Sequence, residues 1–396
     1  MRPAEVLVHR GTEAACSRRA SLALLGLLAI GHFFVDLYSS ALGALQPLLV
    51  ERFRMSLTQA GVLGGVLVFS SSVMQPLYGM LSDRLQTRAF AALGPGIAAL
   101  FVSALGLAPG YWALLVMVCL GGAGIAAFHP QGSSLATAGL EGKRGRVMAI
   151  FVSSGTVGFS LGPTYFSLLS ARLGLARTWW AALPGLAASA LLAWQLPRAG
   201  NPEKSTAPRG QFRALASVWR PLAVLYLLVF LRSVVQITYA QLLPLYLHRE
   251  RGYSVSAASY TLSAYLFFGA LGGFVGGHLA DRLGGRRVIL LSMAGSAPLL
   301  ALFFLAHGAL SVAGLLLGGL ILLFTIPVNV VMAQELIPSQ AGTVSALMMG
   351  FAWGLAGLIF IPLTGALADR FSMHSALAAW TICPVLGFLL ALRLPK

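Results

Sequence analysis

The sequence predicts an all-α membrane protein of twelve transmembrane helices, arranged as two pseudo-symmetric six-helix bundles. Three observations predict it. Of the 396 residues, 58% are apolar and only 10% charged, where an ordinary soluble domain has about a quarter charged. Apolar runs of roughly the 20 residues needed to cross a bilayer recur along nearly the whole chain. A short motif at residues 79–84 returns at 277–282, which divides the chain into equivalent halves.

The spans are expected near 21–49, 57–81, 89–107, 111–140, 146–171, 178–196, 221–247, 256–279, 288–306, 310–336, 342–367 and 374–394. Before the first stand Arg2, Arg10, Arg18 and Arg19. The apolar run after them, Ser21 to Val50, is too long for a signal-peptide core and has no small-residue cleavage site, so this helix is expected to be retained. Residues 1–20 then form an N-terminal tail, 21–196 the first bundle and 221–396 the second. Between them 197–220, with Pro, Gly, Ser and charges, reads as an interdomain loop.

The chain has 27 Lys+Arg against 11 Asp+Glu, a net charge of +16. On the segments that would share a side with the N-terminus there are 19 basic residues, on the other side 7, and Arg232 lies inside a span. That asymmetry places both termini and the 197–220 loop in the cytoplasm of a bacterial-type inner membrane. It also explains the basic charge without a nucleic-acid partner. Cys16, Cys119 and Cys383 are odd in number and far apart, with no CxxC or His-rich spacing, which supports neither a disulfide framework nor a zinc site.

Gly79-Met-Leu-Ser-Asp83-Arg84 after span 2 is matched by Gly277-His-Leu-Ala-Asp281-Arg282 after span 8, an offset of 198 residues. Gly158-x-x-x-Gly162-Pro163 in span 5 is echoed by Gly357-x-x-x-Ile361-Pro362 in span 11. Duplicated halves of this kind point to a transporter. These motifs resemble the major facilitator superfamily. Gly31-His32-Phe33 with Asp36, Phe128-His129-Pro130, Leu231-Arg232-Ser233 and Ala333-Gln334-Glu335-Leu336 resemble its fosmidomycin-resistance branch. The resemblance implies alternating access and export of a small drug-like compound. It also implies that Gly158, Gly162 and Pro163 form a bend that limits leak, with helix packing the other reading of the same residues.

A charged side chain in hydrocarbon needs a partner, a cavity or a function. The embedded polar residues fall in spans 1, 4, 7 and 10: His32 and Asp36, His129, Arg232 and Gln236, and Asn329 with Glu335. In a fold of three-helix repeats these spans are equivalent, and in this superfamily they wall the central cavity. His32, Asp36 and Ser40 share one helical face, as do Arg232, Gln236 and Tyr239. Asp36 is expected to couple protons, with His32 tuning it or merely packing. Arg232, Gln236, His129, Tyr239 and Asn329 are expected to meet the substrate, Arg232 favouring an anion. Asp36 and Arg232 should lie near the midplane, as a proton-operated switch or as a structural ion pair. Asp83, Arg84, Asp281, Arg282 and Glu335 are expected to gate the cytoplasmic side.

No Walker motif, GxSxG or HExxH is present, so ATP use and hydrolysis have no basis in the sequence. The expected protein is not an enzyme and has no cofactor or metal; its energy source is a proton gradient. Expected partners are a small, anionic substrate, protons and membrane lipids, with the protein a monomer. The favoured reading is a proton-coupled antiporter that exports a small polar or anionic compound. An organic-anion uptake symporter or facilitator is the alternative, and an intramembrane enzyme or metal-handling protein using His32, Asp36 and His129 the remote one.

Overall fold

The computed structural model describes residues 3–85, 87–137, 144–196 and 217–394; the side chains of residues 3–20, Asp83, Arg144, Ser339, Ala341 and Gly342 fall outside that description. The side chains of the expected 1–20 tail and most of the 197–220 loop thus lie outside the described residues.

A bilayer offers no partner to backbone N–H and C=O groups, so each apolar run folds into the helix that satisfies its own. In chain order these are α1 (Ser21–Phe53), α2 (Leu57–Ser82), α3 (Ala89–Ser103), α4 (Tyr111–Thr137), α5 (Gly145–Leu173), α6 (Ala182–Gln195), α7 (Trp219–Arg249), α8 (Val255–Leu283), α9 (Gly285–Leu305), α10 (Gly308–Leu336), α11 (Thr343–Arg370) and α12 (Met373–Ala391). Among the described residues, ten of them are long and apolar enough to cross a membrane. The other two, α3 with 15 residues and α6 with 14, are extended by the 3₁₀ segments Leu105–Leu107 and Leu175–Ala181. No strand occurs among the described residues.

Odd-numbered helices run away from the side that bears the N-terminus and even-numbered ones return. On the far side, which holds residues 53–57, 249–255 and 370–373, the halves are in contact through α1 with α7, α2 with α11 and α5 with α8. Thr164 Oγ1 of α5 donates to Ser263 Oγ of α8 at 2.8 Å, and His248 Nε2 lies 3.2 Å from Glu51 Oε1. Toward the near side the halves part around a cavity of about 520 Å³. Where α2 and α11 flank it, each contains one turn of π-helix, Phe69–Val73 and Leu347–Phe351. Such turns insert a residue into an α-helix and re-aim the side chains around it.

Close helix crossings are set by glycine, though not always at the spacing that stands out in the sequence. In α8 Gly269, Gly273 and Gly277 repeat every four residues and read as a packing stripe. The backbone of α10 instead meets α8 at Gly272 and Gly276, where an added Cβ would collide with the carbonyl oxygens of Leu320 and Phe324. Gly269 and Gly273 line the cavity, and a Cβ at Gly273 would have nothing within 4 Å.

Candidate functional site

Asp36 projects from the middle of α1 into the cavity wall of the first half. One turn earlier His32 Nε2 lies 3.3 Å from its Oδ2. From α4, His129 Nε2 lies 3.2 Å from its Oδ1. Each imidazole is also held at its other nitrogen: His32 Nδ1 donates to the Phe151 carbonyl of α5 at 2.7 Å, and His129 Nδ1 to Ile125 at 2.8 Å. Pro130 supplies no N–H to the carbonyl ladder beside His129, and α4 continues through it as one helix. The His32 ring stacks on Phe151 with centroids 4.1 Å apart.

These contacts fix the tautomers. A carbonyl oxygen only accepts, so both Nδ1 atoms carry hydrogen, and a neutral ring then presents a bare Nε2 lone pair. Two such lone pairs would face two carboxylate oxygens. Each contact becomes attractive only with a proton between its nitrogen and oxygen, on the imidazole or on the carboxyl group. The three ligand atoms all lie within 4.8 Å of one another, a spacing that could also hold a metal ion. Gly155 of α5 makes room for the cluster: a Cβ there would sit 2.5 Å from both Asp36 Oδ2 and His32 Nε2.

Across the cavity, Arg232 of α7 is 6% exposed. Its Nη1 donates to Gln236 Oε1 at 2.6 Å, and among the described residues its Nε has no hydrogen-bond partner. Among the described residues no carboxylate lies within salt-bridge distance of it. The expected pairing with Asp36 is therefore absent in this state. Both residues line the cavity, but on opposite walls, and the two histidines on its own wall occupy Asp36.

Of the other expected binding residues, Gln236 and His129 line the cavity, while Tyr239 and Asn329 do not. Tyr239 lies on the same face of α7 as Arg232 but about 10 Å nearer the far side, where the halves have closed. It is fully buried against Tyr265 and Phe304, and its hydroxyl donates to the Leu377 carbonyl at 3.4 Å. Asn329, on the same helix as the cavity-lining Ile326 and Pro327, is fully buried outside the cavity, and neither amide atom has a partner among the described residues.

Among the expected gating residues, Arg84, Asp281, Arg282 and Glu335 are exposed at the near side. None forms a salt bridge among the described residues, and the Asp83 side chain lies outside them. Gly158 and Gly162 are where α5 presses on α1, since Cβ atoms there would overlap the carbonyl oxygens of Phe33 and Leu37. Pro163 continues the same helix. Sequence reasoning missed Gly155, although it precedes Gly158 and Gly162 on the same helical face. It also missed Ser71, Ser72 and Gln75, which the π-turn of α2 brings to the cavity, and Trp353 beyond the matching turn of α11. A π-turn has no pattern in residue type that would have revealed it.

The sequence profile of the Major Facilitator Superfamily matches residues 28–360 and, in an overlapping match, 225–396. The chain belongs to this superfamily. Among similar proteins, the fosmidomycin resistance protein of Escherichia coli (strain K12) is 30% identical over 383 residues, 94% of this chain and 92% of that one. The uncharacterized MFS-type transporter YfnC of Bacillus subtilis (strain 168) is 33% identical over 385 residues, covering 94% and 93%. Solved structures show the same fold at low identity. A bacterial homolog of the human lysosomal transporter Spinster, in an inward-facing and occupied conformation, has a TM-score of 0.77 at 14% identity, over 93% of this chain and 96% of that one. The nucleoside transporter NupG reaches 0.73, at 14% identity, over 94% and 98%. Members of the superfamily are membrane transporters rather than enzymes. The chain is accordingly a multi-pass membrane transporter of a small molecule.

Proposed function

We propose that the protein is a proton-coupled antiporter that exports a small anionic compound by alternating access, with both termini on the cytoplasmic face of an inner membrane. The carrying observation is the split cavity: Asp36 with His32 and His129 at 3.3 and 3.2 Å on one wall, and on the other Arg232, with no carboxylate partner among the described residues. The 30% identity to the fosmidomycin resistance protein supports export and a phosphonate-like anion. The excess of basic residues on the near side supports the orientation, in which the cavity faces the cytoplasm.

Arg232 binds the anionic group, with Gln236 holding its guanidinium in place. Antiport then requires that substrate and protons exclude each other at Asp36. A compound that carries an N–H or O–H donor as well as its anionic group meets this requirement, because its donor takes the carboxylate that the protons leave. The protons pass to the cytoplasm, the loaded halves rock, and protons from the far side displace the donor. Lipids surround the helices, and the monomer suffices, since both walls belong to one chain.

The carboxylate–imidazole contacts of 3.2 and 3.3 Å also support a second reading. Two protons on the cluster make the cavity more positive, so an anion with no donor would bind together with protons and be carried as a symporter's cargo. Proteoliposomes decide between them. Adding fosmidomycin should move protons opposite to the substrate under antiport and with it under symport. Asp36→Asn should abolish the proton movement in either case. Arg232→Ala should weaken substrate binding by about tenfold or more, the scale of a hydrogen bond to a charged group. Substrate movement with no proton flux in the wild type would make the protein a facilitator, and divalent metal bound stoichiometrically at the cluster would favour the metal-handling reading.

A further inference from the structure

A third Gly-x-Leu-Ala-Asp-Arg run stands apart from the two at the near side. Gly365-Ala-Leu-Ala-Asp369-Arg370 repeats the pattern of 79–84 and 277–282, but it closes α11, which ends on the far side. α11 lies antiparallel to α2 with the two backbones touching. A Cβ on Gly61 would sit 2.6 Å from the Ile361 carbonyl oxygen, and one on Gly365 would overlap that of Leu57. This crossing brings Asp369 onto the first turn of α2. Its Oδ1 accepts from the Leu57 N–H at 2.9 Å, and its Oδ2 from the Thr58 N–H at 2.7 Å and the Thr58 hydroxyl at 2.6 Å.

The first turn of any helix carries N–H groups with no partner inside the helix, at the positive end of its dipole. α2 meets part of this need itself. Ser56 Oγ accepts from the Gln59 N–H and Gln59 Oε1 from the Ser56 N–H, each at 3.0 Å, a reciprocal cap. The amides left over are those of Leu57 and Thr58, and they are the two that Asp369 takes. The cap of a helix in one half is thus completed by a carboxylate of the other, an arrangement that exists only while the far side is closed. Among the described residues no salt bridge competes for Asp369, and the neighbouring Arg370 lies over the Phe371 ring at 5.7 Å.

We infer that Asp369 is a far-side latch. Its carboxylate completes the α2 cap when the halves meet on that side, and it must let go, leaving Leu57 and Thr58 to water, each time the far side opens. The latch is independent of the coupling chemistry proposed above, because no cavity residue takes part in it.

The test reads the conformational population directly. Full-length protein in lipid nanodiscs, with Cys16, Cys119 and Cys383 replaced, would carry spin labels at Arg52→Cys and Ala309→Cys, both exposed on the far side. Asp369→Ala should enrich the long-distance, far-side-open population by about threefold, the size set by an exposed charged contact. Asp369→Asn should act in the same direction and Asp369→Glu should restore the original distribution. If Asp369→Ala does not fold, Thr58→Val decides: it removes one of the three bonds and should give a smaller shift of the same sign. Distributions that match the unmodified protein in the folded variants would overturn the latch, as would a lowered unfolding temperature with no change in distance.

Discussion

At the scale of single residues, the site depends on what lies behind the charged groups. Asp36 was legible from the sequence because a lone carboxylate in the middle of an apolar span has few bland explanations. Its partners were half legible. His32 stands one turn away on the same helix, so its contact follows from helical spacing, whereas the contact of His129 depends on how α4 crosses α1, which no local pattern encodes. Least legible was the Phe151 carbonyl that sets the His32 tautomer, since any residue could supply it. The space for this arrangement comes from Gly155, and that position gives a sharp expectation. Gly155→Ala would place a methyl group 2.5 Å from Asp36 Oδ2 and His32 Nε2, forcing flexible side chains apart without moving the backbone. On the proposed reading, proton-coupled uptake or exchange in proteoliposomes should fall about tenfold, the value of one charged hydrogen bond, while the unfolding temperature in detergent stays close to that of the parent protein.

At the scale of helices, apolar run length placed a helix within each expected span, and the two short ones, α3 and α6, cover 89–103 of the expected 89–107 and 182–195 of the expected 178–196, with 3₁₀ segments beside them. Rotation of a helix about its axis was harder to read. The stripe in α8 illustrates this: three glycines at intervals of four suggest one contact face, yet the neighbouring pair meets α10. Both stripes allow close approach, and only the partner's position selects between them. Gly272→Ala should therefore destabilise the protein by about 1–3 kcal/mol, because its Cβ meets backbone that has nowhere to move. Gly273→Ala, facing open cavity, should stay within about 0.5 kcal/mol of the parent. Thermal unfolding of the two purified variants in detergent compares them directly, and equal effects would contradict the packing of α8 on α10. Tyr239 fails as a cavity residue for a related reason. Its face of α7 was read correctly, but its depth lies past the point where the halves close.

At the scale of the whole molecule, the repeated motif and the uneven basic charge were both visible in the chain. What the chain alone did not reveal is which side of the cavity would be closed. Closure follows from many weak contacts between α1 and α7, α2 and α11, and α5 and α8, whose sum differs little between alternating states. The side that is open has a measurable consequence. A membrane-impermeant maleimide should label a cysteine placed at Ser153, on the cavity wall, from the near side and react slowly or not at all from the far side, in a background without the native cysteines. Faster labelling from the far side would mean that the opposite state dominates in the membrane.

The two walls of the cavity come from different halves of the chain. The Asp36 carboxylate and its two imidazoles lie on α1 and α4, braced by α5, and Arg232, with no carboxylate partner among the described residues, lies on α7. Rocking the halves changes the distance between these groups without rebuilding either one. On the proposed reading, mutation can thus alter cargo preference through the second half while the energy source in the first is inherited intact. Two genes that diverged from one ancestor could come to export different compounds and still run on the same gradient, and a chimera joining the first half of one to the second half of the other should follow the cargo choice of its second half.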